Sequence, residues 1–302
     1  MLTRRTVMSL PLGVLAWAKG IEVTRVSAIT DEIATSSQGA VEFVKQYGLR
    51  YVELRSVPGV RKEYVYLPGE ELRAESRILR ENGLEVSFLN SSLMKVMIPG
   101  VEPARWARDA EETRERRRRA DEARFERRME DLKKAIQAAR ILGADKLRVF
   151  TGWRGPDPAA ALPRAAGILN EMSEVAAKEK ITLLVENEGA CNVATCAELA
   201  ALMKLVPSKW VGINWDPYNG VAHKEPPFPD GYRLLPKKRI GNVQIKGRSI
   251  LDGPQKLDWR AIMDALIKDG YKGRFGLETH TGDNRIQASH DSMREILKIA
   301  AN

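Results

Sequence analysis

The chain is poor in the residues that build compact zinc and redox centres. Its 302 residues include two cysteines, Cys191 and Cys196, and three histidines, His223, His280 and His290. A structural zinc site needs four nitrogen or sulfur ligands, so two cysteines alone do not make one. In an exported protein the pair could close a local disulfide or stay as two free thiols, and the sequence leaves both open. No glycine-rich turn follows the first strand-like run, where Ile29-Thr-Asp-Glu-Ile-Ala stands. A doubly wound nucleotide-binding sheet would show one there. Beyond the N-terminus no apolar run is long enough to cross a bilayer.

What is present suits an α/β enzyme. The chain is 43% hydrophobic and 29% charged, which suits one large α/β domain or two small ones, with ample core. The net charge of +9 would suit an anionic partner. The densest stretch, Arg105 to Lys134, tempers that, because it holds twelve basic and nine acidic residues. Its pattern predicts a solvated helix face laced with i,i+4 pairs, not a nucleic-acid patch.

Residues 1–18 stand apart. Paired Arg4 and Arg5, a short apolar run through Leu15, and Ala16-Trp17-Ala18 make a leader with a small-residue cleavage site. The arginine pair resembles the twin-arginine export signal. The chain is therefore expected to be exported, with a periplasmic destination and no membrane span once the leader is removed. An ordinary secretory signal or an uncleaved anchor is the simpler alternative.

From residue 19 to 302, strand-like and helix-like segments alternate without an internal boundary. Strands are predicted at 23–29, 51–54, 84–89, 146–150, 181–186, 210–216, 240–246 and 272–278. Helices are predicted at 38–47, 70–81, across much of 103–142, and at 158–178, 194–205, 259–269 and 283–300. Eight βα units in about 280 residues fit a single-domain (β/α)8 barrel, the TIM barrel, and little else of that size.

Three strands end in a carboxylate: Ile-Thr-Leu-Leu-Val-Glu186, Val-Gly-Ile-Asn-Trp-Asp216 and Arg-Phe-Gly-Leu-Glu278. A fourth, Asn-Val-Gln244-Ile-Lys246, ends in an amide and an ammonium. Charge at the end of a buried apolar run is costly without a partner. In a barrel these ends converge on the C-terminal face, where barrel enzymes keep their active sites. Converging oxygens are what a divalent cation needs. The same face receives Glu53, Arg148, Arg154, Lys246 and His280, each a candidate to touch a substrate. Each also has a plainer role in an ion pair or a loop.

Four fragments resemble the sugar phosphate isomerase/epimerase superfamily of xylose-isomerase-like barrels. They are Leu184-Val-Glu186-Asn187, Asn214-Trp-Asp216-Pro217-Tyr-Asn219, Asn242-Val-Gln244-Ile-Lys246 and Gly276-Leu-Glu278. The resemblance implies that Glu186, Asp216, Gln244 and Glu278 hold one divalent ion. Gln244 departs from the family, which often has histidine there. An all-oxygen set favours Mn2+ or Mg2+, with Co2+ or Zn2+ as alternatives. The resemblance also implies a sugar or keto-sugar substrate. Glu186 and Glu278 would move a proton next to a carbonyl through an enediolate, giving epimerisation or isomerisation. A leaving group one carbon further on would turn the same chemistry into 3-keto-glycoside elimination.

Two further possibilities have sequence grounds against or for them. The same fold includes trinuclear-zinc endonucleases acting on abasic DNA, but three histidines, none at a strand end, cannot supply that cluster. No nucleic-acid partner is expected. A sugar-binding barrel that has lost catalysis would explain Gln244 as a relic. The oligomeric state is left open, a homo-oligomer being one outcome.

Overall fold

The computed structural model describes residues 21–282 and 284–301. The predicted leader lies outside them. Eight parallel strands form one sheet: β1 (Val26–Ala28), β2 (Tyr51–Leu54), β3 (Glu85–Leu89), β4 (Lys146–Val149), β5 (Thr182–Glu186), β6 (Val211–Trp215), β7 (Ile240–Lys246) and β8 (Arg274–Glu278). Their order is β1-β8-β7-β6-β5-β4-β3-β2. A parallel bridge between Ile29 and Glu53 joins β1 to β2, so the sheet closes on itself. This is a single (β/α)8 barrel. The strands read as continuous apolar runs because both faces are covered, as parallel sheets require; every residue of β6 is buried.

Local sequence sets the helix ends. Asp157 caps the Pro158–Glu179 helix by accepting from Ala160 N, with proline at its first position. Thr195 and Glu198 form a capping box at the start of Cys196–Leu205. Gly143 closes Arg128–Leu142 at φ 81°, a left-handed turn that suits glycine. Among the described residues no helix is long and apolar enough to cross a membrane.

The long charged segment differs from expectation. It forms a 3-10 turn at Ala104–Trp106 and two helices, Glu111–Glu126 and Arg128–Leu142. The two helices have different tasks. Arg128–Leu142 buries Leu132, Ala135, Ile136, Ala138, Ala139 and Leu142 against the barrel. Glu111–Glu126 buries only Asp121, whose carboxylate accepts from Met97 N and Trp153 Nε1, each at 2.8 Å. Such a helix is held by a polar anchor, not an apolar stripe. Its arginines meet carboxylates nearby: Arg119 with Glu115 at 2.8 Å, Arg118 with Glu102 at 3.2 Å, and Arg117 with Asp109.

Candidate active site

The last residues of β5, β7 and β8 are Glu186, Lys246 and Glu278, and Asp216 directly follows β6. One carboxylate oxygen from each of Glu186, Asp216 and Glu278 can be chosen so that all three lie within 4.8 Å of one another. All three residues are buried. Parallel register makes the convergence: Glu186 pairs with Asn214 across β5–β6, and Lys246 with Glu278 across β7–β8.

Three cations hold these acids in place. Lys246 Nζ lies 2.9 Å from Asp216 Oδ2 and 3.0 Å from Glu278 Oε2. Arg148 donates from NH1 to Glu186 Oε2 at 3.0 Å, and Arg55 reaches Glu278 Oε1 at 3.3 Å. Burial works against a charged Lys246, but Asp216, Glu278 and Glu186 more than offset it and raise its pKa above the usual lysine value. Burial likewise works against a charged Glu278, yet Lys246, His280, Arg148 and Arg55 hold its carboxyl well below the usual range. Asp216 goes the other way. Burial pushes it up to about 6, against the pull of Lys246 and with the repulsion of Glu186 and Glu278.

On β7, between the strands that lead to Asp216 and Glu278, Gln244 Oε1 is buried without a hydrogen-bond partner. Buried acceptors are seldom left so. The three converging carboxylates together with this amide oxygen are a donor set that would fit a hard divalent cation, with Glu186, Asp216, Gln244 and Glu278 as the residues that would hold it.

Beneath the carboxylates lies a polar layer that joins Glu53 and Gln244 to Ser27, Asn90, Asn214 and Asn242, for which the sequence suggested no role. Glu53 is fully buried and accepts four hydrogen bonds. Ser27 Oγ (2.9 Å) and Asn242 Nδ2 (3.2 Å) donate to Oε1; Asn90 Nδ2 (2.9 Å) and Gln244 Nε2 (2.6 Å) donate to Oε2. Burial pushes the Glu53 carboxyl up, and these donors offset that only in part. Asn242 also donates to Asn214 Oδ1 at 3.0 Å, and Asn214 donates to Glu186 Oε2 at 2.7 Å. A hydrogen-bonded chain thus runs from Glu53 to Glu186. Asn187 completes the support, accepting from Asp216 N at 2.9 Å and donating to its carbonyl at 2.8 Å. The signal for these residues is in the sequence, since asparagine is depleted in strands and Asn214 and Asn242 sit inside two of them.

The remaining candidates divide. Arg55 binds Asp31, Glu32 and Glu278 and does not pair with Glu53. His280 is exposed, with Nδ1 3.7 Å from Glu278 Oε1. Its left-handed backbone (φ 50°) is held by Glu32, which accepts from its N–H, and by Arg248, which donates to its carbonyl. Arg154 pairs with Glu198 at 2.7 Å and with the carbonyls of Cys191 and Asn192, away from the three acids. Trp215 stacks on Tyr232 in the core, and Trp153 lies under Arg105. Cys191 and Cys196 are free, buried thiols. A cavity of about 640 Å³ opens at the opposite end of the barrel among Tyr51, Lys146, Tyr271 and Arg274, and none of the three converging acids lines it.

Comparison with known proteins decides the family. A family model described as the xylose isomerase-like TIM barrel matches residues 41–298. The chain belongs to that family. No curated protein matches it in sequence. Solved structures share the fold. A 3-keto-D-glucoside 4-epimerase from E. coli is 17% identical, with TM-score 0.64, over 91% of this chain and 99% of that one. The probable 3-DHS dehydratase of Bacillus anthracis is 15% identical, with TM-score 0.65, over 90% and 98%. A xylose isomerase-like barrel from Mycobacterium smegmatis, solved with magnesium, is 17% identical, with TM-score 0.62, over 92% and 96%.

Proposed function

We propose that this family member is a divalent-cation-dependent sugar isomerase or epimerase that moves a proton on the carbon next to a carbonyl. The observation that carries this is the convergence of the Glu186, Asp216 and Glu278 carboxylates, with Gln244 Oε1 left without a partner on the strand between the last two. A cation held there would polarise the substrate carbonyl and acidify the adjacent C–H.

The chain's own residues do the rest. Both hydrogen bonds on Glu186 fall on Oε2, from Arg148 and Asn214, which fixes the carboxylate and leaves Oε1 for a proton. Glu278 is kept ionised by Lys246 and Arg55 and so stands ready as a base. Two carboxylates on different strands can take a proton from one face and return it to another, which is epimerisation. If one carboxylate does both on neighbouring carbons, the result is isomerisation. Lys246, once a substrate oxygen displaces one of its carboxylate contacts, is placed to donate to that oxygen. The resemblance of the Arg4-Arg5 pair to an export signal supports a reaction outside the cytoplasm, where unphosphorylated sugars are the fitting substrates.

A second reading, elimination from a 3-keto-glycoside, draws support from the fold shared with a 3-keto-D-glucoside epimerase and a dehydratase. Incubation in D2O with Mn2+ separates the two. An epimerase or isomerase returns sugar deuterated next to the carbonyl, and an eliminating enzyme releases the leaving group. Glu186→Gln and Glu278→Gln should each lower turnover by about 10²–10⁴-fold, the usual contribution of a positioned acid or base, with the fold kept. Near-normal turnover in both would remove these residues from the mechanism.

A further inference from the structure

We infer that Glu53 is a positioning residue for the cation site: it holds the Gln244 amide nitrogen inward, so that Oε1 is the end presented to the ion. The inference rests on the proposed function, since it takes the strand ends to bind a divalent cation.

A glutamine side chain has a donor end and an acceptor end of nearly equal shape, and half a turn about its last bond exchanges them. Only the acceptor end can ligate a cation. Gln244 Nε2 donates to Glu53 Oε2 at 2.6 Å, while Oε1 is buried with no partner. A carboxylate oxygen accepts and does not donate, so this contact fixes which end of Gln244 faces Glu53. Asn90 behaves the same way. Its Nδ2 donates to the same oxygen at 2.9 Å, and its Oδ1 is likewise buried and unpartnered. One oxygen of Glu53 thus sorts two amides.

Glu53 is itself immobilised. Ser27, Gly276 and Gln244 stand in register across β1, β8 and β7. The carboxylate lies against Gly276, where a Cβ would come within 1.9 Å of Oε1. Ser27 and Asn242 hold that oxygen from the other side. Each oxygen accepts two hydrogen bonds, which fills the four acceptor positions of a carboxylate and leaves none for a substrate hydroxyl. Glu53 therefore acts through Gln244, not on substrate. A strong acceptor on the amide N–H also shifts electron density towards Oε1. That makes it a better ligand for a hard ion, as an outer carboxylate does for a ligating histidine. In this chain the glutamine keeps an oxygen where the family often has a ring nitrogen, and Glu53 is what makes that substitution serviceable.

The test is a titration of metal-stripped full-length protein with Mn2+, with free Mn2+ read by electron paramagnetic resonance and the melting temperature of each metal-free protein recorded beside it. Glu53→Gln removes the pure acceptor. Glu53→Asp keeps the charge and withdraws it from Gln244, and serves if Glu53→Gln does not fold. Either should weaken Mn2+ binding by about 10–100-fold, the range typical for losing the group that orients a ligand. Ser27→Ala, which loosens Glu53 without touching Gln244, should weaken Mn2+ binding less than either Glu53 variant. In a Gln244→Met background, Glu53→Asp should cost nothing further. Unchanged affinity in the folded Glu53 variants, with wild-type binding intact and lost in Asp216→Asn, would overturn this inference alone. Equal weakening by Ser27→Ala would reduce Glu53 to a structural role. A wild-type chain that binds no Mn2+ would overturn the proposed function, and this inference with it.

Discussion

Lys246 Nζ stands 2.9 Å from Asp216 and 3.0 Å from Glu278, and that one ammonium explains how two buried acids coexist at the barrel mouth. Removing one partner of such a group leaves an uncompensated buried charge, at a cost of about 3–5 kcal/mol. At this scale the sequence disclosed the acids and Lys246, because a charge closing an apolar run is conspicuous. It did not disclose Ser27, Asn214 or Asn242, whose importance comes from neighbours brought together only by the closed sheet. Glu198 shows the same limit, and it yields a prediction away from the active site. It accepts from Ala194 N, Thr195 N and Arg154, and despite partial burial its carboxyl is held below the usual value, chiefly by Arg154. A lowered pKa means that the stabilisation is complete above the unfolded value, about 4.3, and is lost as the pH falls through the folded one. Glu198→Gln should therefore lower stability by about 1–2 kcal/mol at neutral pH. Urea unfolding at pH 7 and near pH 3.5 should show the gap between variant and wild type narrowing in acid; a gap independent of pH would mean that the charge contributes nothing.

The elements were legible wherever periodicity and caps agreed. Tyr51–Leu54 and Ile240–Lys246 match their predicted bounds, and the other strands are trimmed at their starts or ends. The β1 run shortens to Val26–Ala28 because Val23–Arg25 forms a 3-10 turn. The charged segment misled for a physical reason. Helical periodicity shows where a helix forms, but charged residues stand on both sides of the break at Arg127, so composition does not mark it. In β8 the element-scale question is Gly276, whose missing Cβ makes room for Glu53. Gly276→Ala should destabilise the metal-free protein by about 1–3 kcal/mol or more, as overpacking of a tight core does. A thermal midpoint equal to wild type would show that Glu53 can move aside freely.

At the scale of the whole molecule, eight alternating units sufficed to predict the barrel, and the order of the strands with its closure through Ile29 and Glu53 follows from it. The barrel then does what no single element can: it brings the ends of four consecutive strands, β5 to β8, to one face. Arginines along the outer helices are paired with nearby carboxylates, while the mouth balances three acids against Lys246, Arg148 and Arg55. A cation bound at that mouth should stabilise the fold as a whole. At a concentration 100-fold above its Kd, the gain is about 2.7 kcal/mol. That corresponds to a rise of roughly 5 °C in Tm for a domain of this size. The most direct measurement is a Mn2+ titration of the metal-stripped protein, following Tm and bound metal together in wild type and Asp216→Asn. One Mn2+ per chain with a rise in Tm, both lost in Asp216→Asn, is the predicted result. No bound ion, or binding and stabilisation that survive in Asp216→Asn, would contradict a cation site built from the strand-end carboxylates.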